Sequence, residues 1–263
     1  MVTQIIEFER PKLKDPLFIQ GLPGIGNVGR IAAGYLTEEI GAKKFAELIS
    51  SHFMPFVLLH ETSETHLLKY EFFYWRAKKR GQRDLIIMVG DMQSITPEGH
   101  YEIAEEILKY LKGIGVKEII TLGGLNVGEI IIAPKVIGAS SDLELIKKYK
   151  GYGIEFVAGT RAGTIVGAAG LLLGLAKYHG MRGICLLGET VGLPIIPDPR
   201  SAEAVLKVLL KFLDLKIDLS KLKKRVEEME KFIKKVEDVQ KRALVQMARV
   251  KPPPEEEKLT YIG

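Results

Sequence analysis

The sequence contains almost no cysteine, and this scarcity restricts what kind of protein it encodes. Cys185 is the single cysteine among 263 residues, so no intrachain disulfide can form. It lies in the apolar run Gly-Ile-Cys-Leu-Leu, which predicts a buried structural thiol. A chain without disulfides is typical of a reducing compartment, and we expect a cytoplasmic protein.

Long apolar segments and metal-binding motifs are also absent. The most apolar stretch, 165–176, has 12 residues including three glycines, whereas a membrane-spanning helix needs about 20 apolar residues. The N-terminus lacks the basic start and apolar run of a secretion signal. We expect no membrane span. The five histidines show no metal-ligand spacing, so we expect no metal.

Positive charge is concentrated in one segment. Residues 220–250 hold ten Lys or Arg against five acids, which equals the net charge of +5 of the whole chain. Such a segment raises the hypothesis of a coiled-coil DNA-associated protein. Acids alternate with the basic residues and no aromatic set for base stacking accompanies them, so a solvated helix surface is favoured and nucleic acid is not expected as a partner.

Residues 1–218 alternate short β-branched runs with longer amphipathic ones. This alternation predicts an α/β domain with a mainly parallel sheet flanked by helices. Strands are predicted at 17–20, 45–50, 55–60, 85–89, 118–122, 130–137, 156–158 and 183–187, and helices at 27–40, 97–114, 142–149, 163–179 and 199–213. The run Leu67-Leu-Lys-Tyr-Glu-Phe-Phe-Tyr-Trp75 predicts a further strand or hairpin arm, which would be a contact surface if exposed. Its aromatic end, Phe72-Phe-Tyr-Trp75, is interpreted as half core and half interface.

Glycines recur after three of the predicted strands. They lie in Gly21-Leu-Pro-Gly-Ile-Gly-Asn-Val-Gly29, Gly123-Gly-Leu-Asn-Val-Gly128 and Gly188-Glu-Thr-Val-Gly-Leu-Pro194. Glycine permits tight turns and close approach of the backbone to a ligand or neighbour, so the three loops should crowd one edge of the sheet.

Gly24, Gly26 and Gly29 match the GxGxxG pattern, which allows a dinucleotide site at a helix N-terminus. The expected acid about 20 residues further on would be Glu47, which falls inside a predicted strand. No Lys-Ser/Thr pair follows Gly26, which excludes a P-loop. A tight structural turn is the favoured interpretation, and a nucleoside- or nucleotide-binding enzyme or sensor is the alternative.

A few polar residues lie where an α/β enzyme could hold acid or base groups. Asp91 and Glu189 follow predicted strands, but these positions also suit turn and capping hydrogen bonds. A polar cluster of His60, Glu61, Glu64 and His66 is interpreted as a solvated loop. We therefore expect no catalytic residues, no enzyme activity and no cofactor.

From residue 219 to residue 250 the pattern changes to one long amphipathic helix. Nine seam positions from Leu222 to Val250 are spaced four and three residues apart in alternation. At about 1.5 Å per residue the helix would be about 45 Å long, which exceeds the needs of a compact domain. We expect it to project from the domain or to pair with another helix.

Residues 251–263 predict an extended tail. Three prolines at 252–254 stop the helix, and the acidic run that follows is too polar for a core. The tail ends with Leu259, Thr260, Tyr261, Ile262 and Gly263. An aromatic ring close to a free carboxylate would suit a pocket on another protein that contains a lysine.

Three of the motifs together resemble the archaeal branch of the proteasome assembly chaperone family. They are Gly21-Leu-Pro-Gly-Ile-Gly-Asn-Val-Gly29, Gly123-Gly-Leu125, and Gly188-Glu-Thr-Val-Gly-Leu-Pro194 with Pro197-Asp-Pro-Arg-Ser-Ala202. The resemblance implies a nucleoside-phosphorylase-like α/β domain that is used for binding. It also implies a homo-oligomer, with a tetramer as one arrangement, whose C-terminal segments contact the α-subunits of the 20S proteasome.

Family members of this kind carry a terminal hydrophobic-Tyr-X motif that enters pockets between α-subunits. Tyr261 matches the tyrosine, whereas Thr260 replaces the hydrophobic residue and two residues follow the tyrosine instead of one. The resemblance therefore implies an ATP-independent activator or assembly chaperone that docks by residues 259–263, in a register that departs from the usual motif.

Overall fold

The computed structural model describes residues 3–59, 61–129, 131–156, 163–192, 196–224 and 226–227. The strands are β1 (Thr3–Glu7), β2 (Leu17–Gly21), β3 (Lys43–Ser50), β4 (Val57–Leu59), β5 (Thr65–Leu67), β6 (Tyr70–Trp75), β7 (Leu85–Gly90), β8 (Glu118–Asn126), β9 (Val136–Ser140), β10 (Ile154–Phe156) and β11 (Arg182–Thr190). The helices are α1 (Val28–Glu39), α2 (Pro97–Ile114), α3 (Leu143–Tyr149), α4 (Ala168–Ala176) and α5 (Pro199–Leu213).

Nine of these strands form one sheet in the order β1-β3-β6-β7-β2-β8-β11-β9-β10. The central strands β7, β2, β8 and β11 are parallel to one another. Antiparallel pairings extend the sheet on both sides, through β6 on one side and β9 on the other. The predicted α/β class is confirmed, and the parallel part occupies the centre of a mixed sheet.

Helices cover both faces of the sheet. One hydrophobic cluster packs α1, α3 and α5 against the sheet, with Leu36, Leu145 and Leu206 fully buried. The cluster on the opposite face packs α2 and α4, through residues such as Ile107 and Leu172. The domain therefore has three layers, in which each amphipathic helix buries its apolar side against the sheet.

The bounds predicted for α2 and α5 are confirmed, because both helices begin with a strong N-terminal signal. The Thr96 hydroxyl accepts a hydrogen bond from the Gly99 backbone N–H at 3.1 Å, and proline occupies the first position of the helix. The Asp198 carboxylate accepts from the backbone N–H groups of Arg200 and Ser201, again followed by proline. Capping side chains and an initial proline are readable in a sequence.

Two predicted elements begin in the wrong place. The strand predicted at 130–137 is observed as β9, which starts only at Val136, since Pro134 cannot donate a ladder hydrogen bond. The helix predicted at 163–179 is observed as α4 followed by a short 3-10 turn at Lys177–His179. Gly167 has a φ of 83° and is not helical, so α4 begins at Ala168. Strand β1 was not predicted; it pairs only with β3, at one edge of the sheet.

The aromatic run of β6 lies inside the sheet and not on a contact surface. Strand β6 pairs with β3 and β7, and Phe72 and Trp75 are buried. Phe73 and Tyr74 are partly buried, so no side chain of the run is fully exposed. The core half of the prediction is confirmed by Phe72 and Trp75, whereas these aromatic side chains do not form the exposed contact surface that was its other half.

The buried thiol is confirmed as well. Cys185 lies in β11 with no exposed surface, and burial raises its pKa to about 12. Within the described ranges no helix is long and apolar enough to cross a membrane.

In the segment predicted as a long helix at 219–250, the described residues 220–224 and 226–227 are helical. Leu222 is buried in the cluster that contains α1 and α5, and the Tyr35 hydroxyl donates to the Asp218 carbonyl at 2.8 Å. These contacts pack the start of the helix on its own domain. Most of the predicted helix at 219–250 and all of the predicted tail at 251–263 lie outside the described residues.

Candidate functional site

The first glycine loop joins β2 to α1 through a 3-10 turn at Ile25–Asn27. A Cβ atom at Gly29 would lie 2.4 Å from the carbonyl oxygen of Leu122 in β8, and one at Gly21 would lie 2.3 Å from the Gly29 oxygen. Gly26 has a φ of 59°, which favours glycine, and its Cβ would lie 2.9 Å from the Thr190 hydroxyl. These glycines let the backbone of α1 approach the sheet, which supports the structural-turn interpretation.

Gly24 differs from its neighbours in the loop. A Cβ atom there would meet only the Gln93 Nε2, at 3.5 Å, and the backbone is extended. No packing contact therefore requires glycine at this position. Gly24 instead lines a pocket of about 510 Å³.

This pocket, called here the glycine-loop pocket, lies at the carboxyl ends of the parallel strands β2 and β8. Its wall is completed by the start of α2 and by the segment that leads into α4. The connection from β2 leads to strands on one side of the sheet, whereas β8 begins the other side. Ligands of open α/β sheets bind at such a switch point, outside the carboxyl ends of the strands.

Most of the wall is apolar, with side chains such as Leu22, Leu122 and Leu187. In the described part of the chain no Asp, Glu, Lys or Arg side chain lines the pocket. The polar lining side chains are those of Gln20, Gln93, His100, Asn126 and Thr164. An apolar wall with a few polar groups is typical of sites for small molecules.

The two glutamines of the pocket have different surroundings. The Gln93 carboxamide donates to the Pro23 carbonyl at 2.6 Å and accepts from the Ala168 backbone N–H at 2.8 Å. It thus joins the glycine loop to the start of α4. Gln20 is only 1% exposed, and its Oε1 has no hydrogen-bond partner.

His100 lies in the first turns of α2 and contributes an imidazole to the wall of the pocket. Burial lowers the pKa of His100 below its ordinary value, and a hydrogen bond to the backbone of Ser94 offsets part of that shift. The neutral imidazole is therefore the favoured form near pH 7. It can both donate and accept a hydrogen bond.

The geometry does not fit a dinucleotide fingerprint at Gly24, Gly26 and Gly29. Glu47 lies in β3, which is separated from β2 by β6 and β7, whereas the fingerprint needs its acid on the neighbouring strand. Glu47 is instead ion-paired with Lys44 at 2.6 Å and with Lys69 at 2.5 Å. A dinucleotide bound at this loop would therefore lack the acidic side chain that binds its ribose.

Asp91 and Glu189 accept hydrogen bonds from the backbone of distant segments of the chain, and not from a turn or helix cap. The Asp91 carboxylate accepts from the Lys69 backbone N–H at 3.1 Å, and the Glu189 carboxylate accepts from the Lys135 backbone N–H at 3.1 Å. Neither residue lines the glycine-loop pocket as described.

The described members of the predicted polar cluster contact different residues in the interactions that the structure shows. Glu64 accepts from the Thr62 hydroxyl, whereas His66 lies 3.5 Å from Asp91, and His60 lies outside the described residues. Within the described ranges no group of three or more His, Cys, Asp or Glu side chains is arranged to hold a metal.

A second hollow, of about 570 Å³, lies beside the two-stranded sheet of β4 and β5. Val57, Leu59 and Leu67 share one face of this hairpin and are 50%, 73% and 57% exposed. Met54 and Phe56 continue the apolar area. These five residues are called the hairpin surface. The sequence predicted a strand at 55–60 and a hairpin arm that starts at Leu67, but strands of only three residues each do not show which side chains stay exposed.

A profile described as the PAC2 family matches residues 18–237, which includes most of the α/β domain. The chain belongs to the PAC2 family. The resemblance seen in the three glycine motifs is thereby confirmed.

Similar PAC2 structures come from Pyrococcus furiosus. PbaB, described as an archaeal proteasome activator, is 45% identical with a TM-score of 0.85, and the match covers 90% of this chain and 99% of PbaB. PbaA, described as an archaeal homolog of proteasome-assembly chaperone, is 30% identical with a TM-score of 0.74, over 95% of this chain and 97% of PbaA. An uncharacterized Methanocaldococcus jannaschii protein is 42% identical over 100% of this chain and 98% of its own length.

Proposed function

We propose that this protein binds the α-ring of the 20S proteasome and acts as an ATP-independent activator, an assembly chaperone, or both. The observation that supports this most strongly is the 45% identity to the archaeal proteasome activator PbaB over 90% of the chain. The similarity to PbaA, a homolog of proteasome-assembly chaperone, supports the same partner. This role requires no catalytic residue and no cofactor, and it places the protein in the cytoplasm.

Docking is proposed to use the tail residues Leu259, Thr260, Tyr261, Ile262 and Gly263. The Tyr261 ring would enter a pocket between α-subunits, and the prolines at 252–254 would hold the tail away from the long helix. The proposed division is therefore a folded domain at 1–218, a helix at 219–250 and a docking tail at 251–263.

Self-association is part of the proposal, and the hairpin surface supports it. Apolar side chains as exposed as Leu59 and Leu67, on a hairpin that forms its own small sheet, are typical of a surface that a partner covers. A second copy of the chain would bring several tails to one α-ring. Linked tails bind with an avidity above that of any single tail.

The tail is tested by deleting 259–263 and by the single change Tyr261→Ala. We expect both to abolish binding to purified 20S proteasome and any stimulation of peptide hydrolysis, since the aromatic anchor is lost. Thr260→Val restores the hydrophobic residue of the usual motif and should tighten binding.

The matched control is Tyr178→Ala, which removes a tyrosine that is 75% exposed on the folded domain. It should leave both readouts unchanged. The docking proposal would be wrong if the deletion bound and stimulated the proteasome as the full chain does.

A further inference from the structure

The glycine-loop pocket has features that a proteasome-binding role does not use. It is a preformed hollow of about 510 Å³, within the range of about 300–1,000 Å³ that is usual for small-molecule sites. Its position at the ends of β2 and β8 is the one that ligands of open α/β sheets occupy. Gly24 lines it without any packing reason for being glycine.

Among the described residues that line the pocket, Gln20 has a buried side-chain oxygen without a hydrogen-bond partner. It lies in the fully buried strand β2, between Met88 and Thr121 on the neighbouring strands. A buried carboxamide oxygen without a hydrogen bond costs free energy, and a native fold keeps such a group mostly where something else satisfies it. Gln93, by contrast, has both ends of its carboxamide engaged within the protein.

The side chains that line the pocket determine which ligand charge it can accommodate. Within the described residues the wall has no acidic or basic side chain, so a charged group would lose its hydration without gaining an ion pair from these residues. A phosphate would also need cations or a row of free backbone N–H groups. The ligand that fits this described lining is therefore uncharged. It has a flat apolar face that packs against the walls and an edge that forms hydrogen bonds with a carboxamide.

We propose that the glycine-loop pocket binds a neutral nucleobase or its nucleoside, with the Gln20 carboxamide paired to the edge of the base. A carboxamide has a donor beside an acceptor, and base edges present the same pair, as when glutamine binds adenine. The pairing holds whichever way the amide is turned. The apolar side chains of Leu22, Leu122 and Leu187 provide the walls against which a base packs.

The test is isothermal titration calorimetry of the full chain with each common nucleobase, the matching nucleoside and the matching 5′-monophosphate. We expect saturable binding of at least one base or nucleoside, and weaker binding of its monophosphate. Gln20→Leu should weaken that binding at least about tenfold, because the base loses its hydrogen-bond partner. The same change should not lower the melting temperature, since it removes an unsatisfied buried group.

Gln82→Leu is the matched control. Gln82 also has a buried Oε1 without a partner, but it does not line the pocket as described, and its Nε2 donates to the Asp214 carbonyl. We expect it to bind the ligand as the unchanged protein does. Gly24→Leu is a second test that leaves Gln20 in place. The introduced leucine side chain would occupy the pocket and block binding.

Three results would overturn the proposal. The first is the absence of saturable binding by every base and nucleoside at millimolar concentration. The second is binding that neither Gln20→Leu nor Gly24→Leu weakens. The third is binding of monophosphates alone, which would indicate an anion site. None of these results bears on tail docking, which is measured separately with the 20S proteasome.

Discussion

The glycine-loop pocket and the hollow beside the hairpin have similar volumes, about 510 and about 570 Å³, and mainly apolar walls, yet different parts of the fold form them. Leu22 and Leu122 of the first are 2% and 1% exposed, whereas Met54 and Phe56 of the second are 45% and 50% exposed. Volume alone therefore does not identify the kind of partner. Both hollows also have lining side chains of the other kind, such as Val166 at 85% in the first and Phe53 at 5% in the second. Their different places in the fold, at the carboxyl ends of the central strands and beside a separate hairpin, distinguish a hollow for a small molecule from a surface for another protein.

The difference has a structural origin. The glycine-loop pocket is built from the ends of central strands and from helices packed on the main sheet, so its walls are fixed by the core. The hairpin forms a separate sheet of two short strands, and a two-stranded sheet is only marginally stable by itself. A rigid pocket suits a small ligand, while the hairpin needs a covering partner.

The largest effect is expected at the hairpin surface. Changing both Val57→Glu and Leu59→Glu places two charges on apolar side chains that are 50% and 73% exposed. If a second copy covers this face, the burial of two unpaired carboxylates should dissociate the oligomer into single chains. Light scattering measures the change in mass, and nucleoside binding should stay as it was.

Leu143→Glu is the control for that experiment. Leu143 is 74% exposed at the start of α3, far in sequence from the hairpin, and an acid is favourable at a helix N-terminus. It should not change the mass. A hairpin variant that keeps the mass of the unchanged protein would contradict the assignment of this surface to self-association.

An intermediate effect is expected from a pair of glycine changes. Gly29→Ala would place a Cβ atom 2.4 Å from the Leu122 oxygen, and the backbone on both sides would have to shift. We expect a loss of at least about 2 kcal/mol in the free energy of unfolding, measured by denaturant titration.

Gly24→Ala is the matched change in the same loop. Its Cβ atom meets only the Gln93 Nε2 at 3.5 Å, so stability should be almost unchanged. Equal destabilisation by both substitutions would show that Gly24 is also a packing glycine. Gly24 could then no longer be distinguished from the glycines that the loop needs for packing.

The smallest effect is expected from pH. Burial lowers the pKa of His100 in the folded protein, whereas in the unfolded chain it is near 6.5. The unfolded state therefore binds the proton more readily, and stability falls as the pH drops below about 6.5 toward the lowered folded value. Denaturant titrations over this range should show a weaker loss for His100→Gln.

The comparison of the unchanged protein with His100→Gln separates the effect of His100 from that of the other titratable groups. His52 and His179 lie beside Glu102 and Glu105 at 3.0 and 2.9 Å, and these pairs are the same in both proteins. An unchanged pH dependence in His100→Gln would show that the imidazole is not shielded in the pocket wall.

Much of the fold follows from local sequence signals. The helices that begin with Thr96-Pro and Asp198-Pro were predicted with their observed bounds, since capping acts within a few residues. The central strands were predicted from β-branched runs that have no polar alternation. Strand β1 and the start of β9 were not predicted correctly. Pairing at a sheet edge and the effect of Pro134 both depend on the neighbouring strands.

The candidate site could be predicted from the sequence only in part. The crowding of the glycine loops at one edge of the sheet was predicted, and Gly24 was among the residues named for it. Gln20, Gln93 and His100 were missed. A polar residue at the end of the run Leu-Phe-Ile-Gln was the available signal for Gln20, but only the packed structure shows that its oxygen has no partner.

The sequence by itself determined the α/β class, the capped helices, the buried thiol of Cys185 and the resemblance to a family. These follow from short-range patterns and from motifs that stay intact in the printed chain. Only the tertiary structure decided which glycines serve packing, which line a pocket, and which apolar side chains remain exposed. Those properties depend on atoms that are distant in the chain and meet only after the sheet has formed.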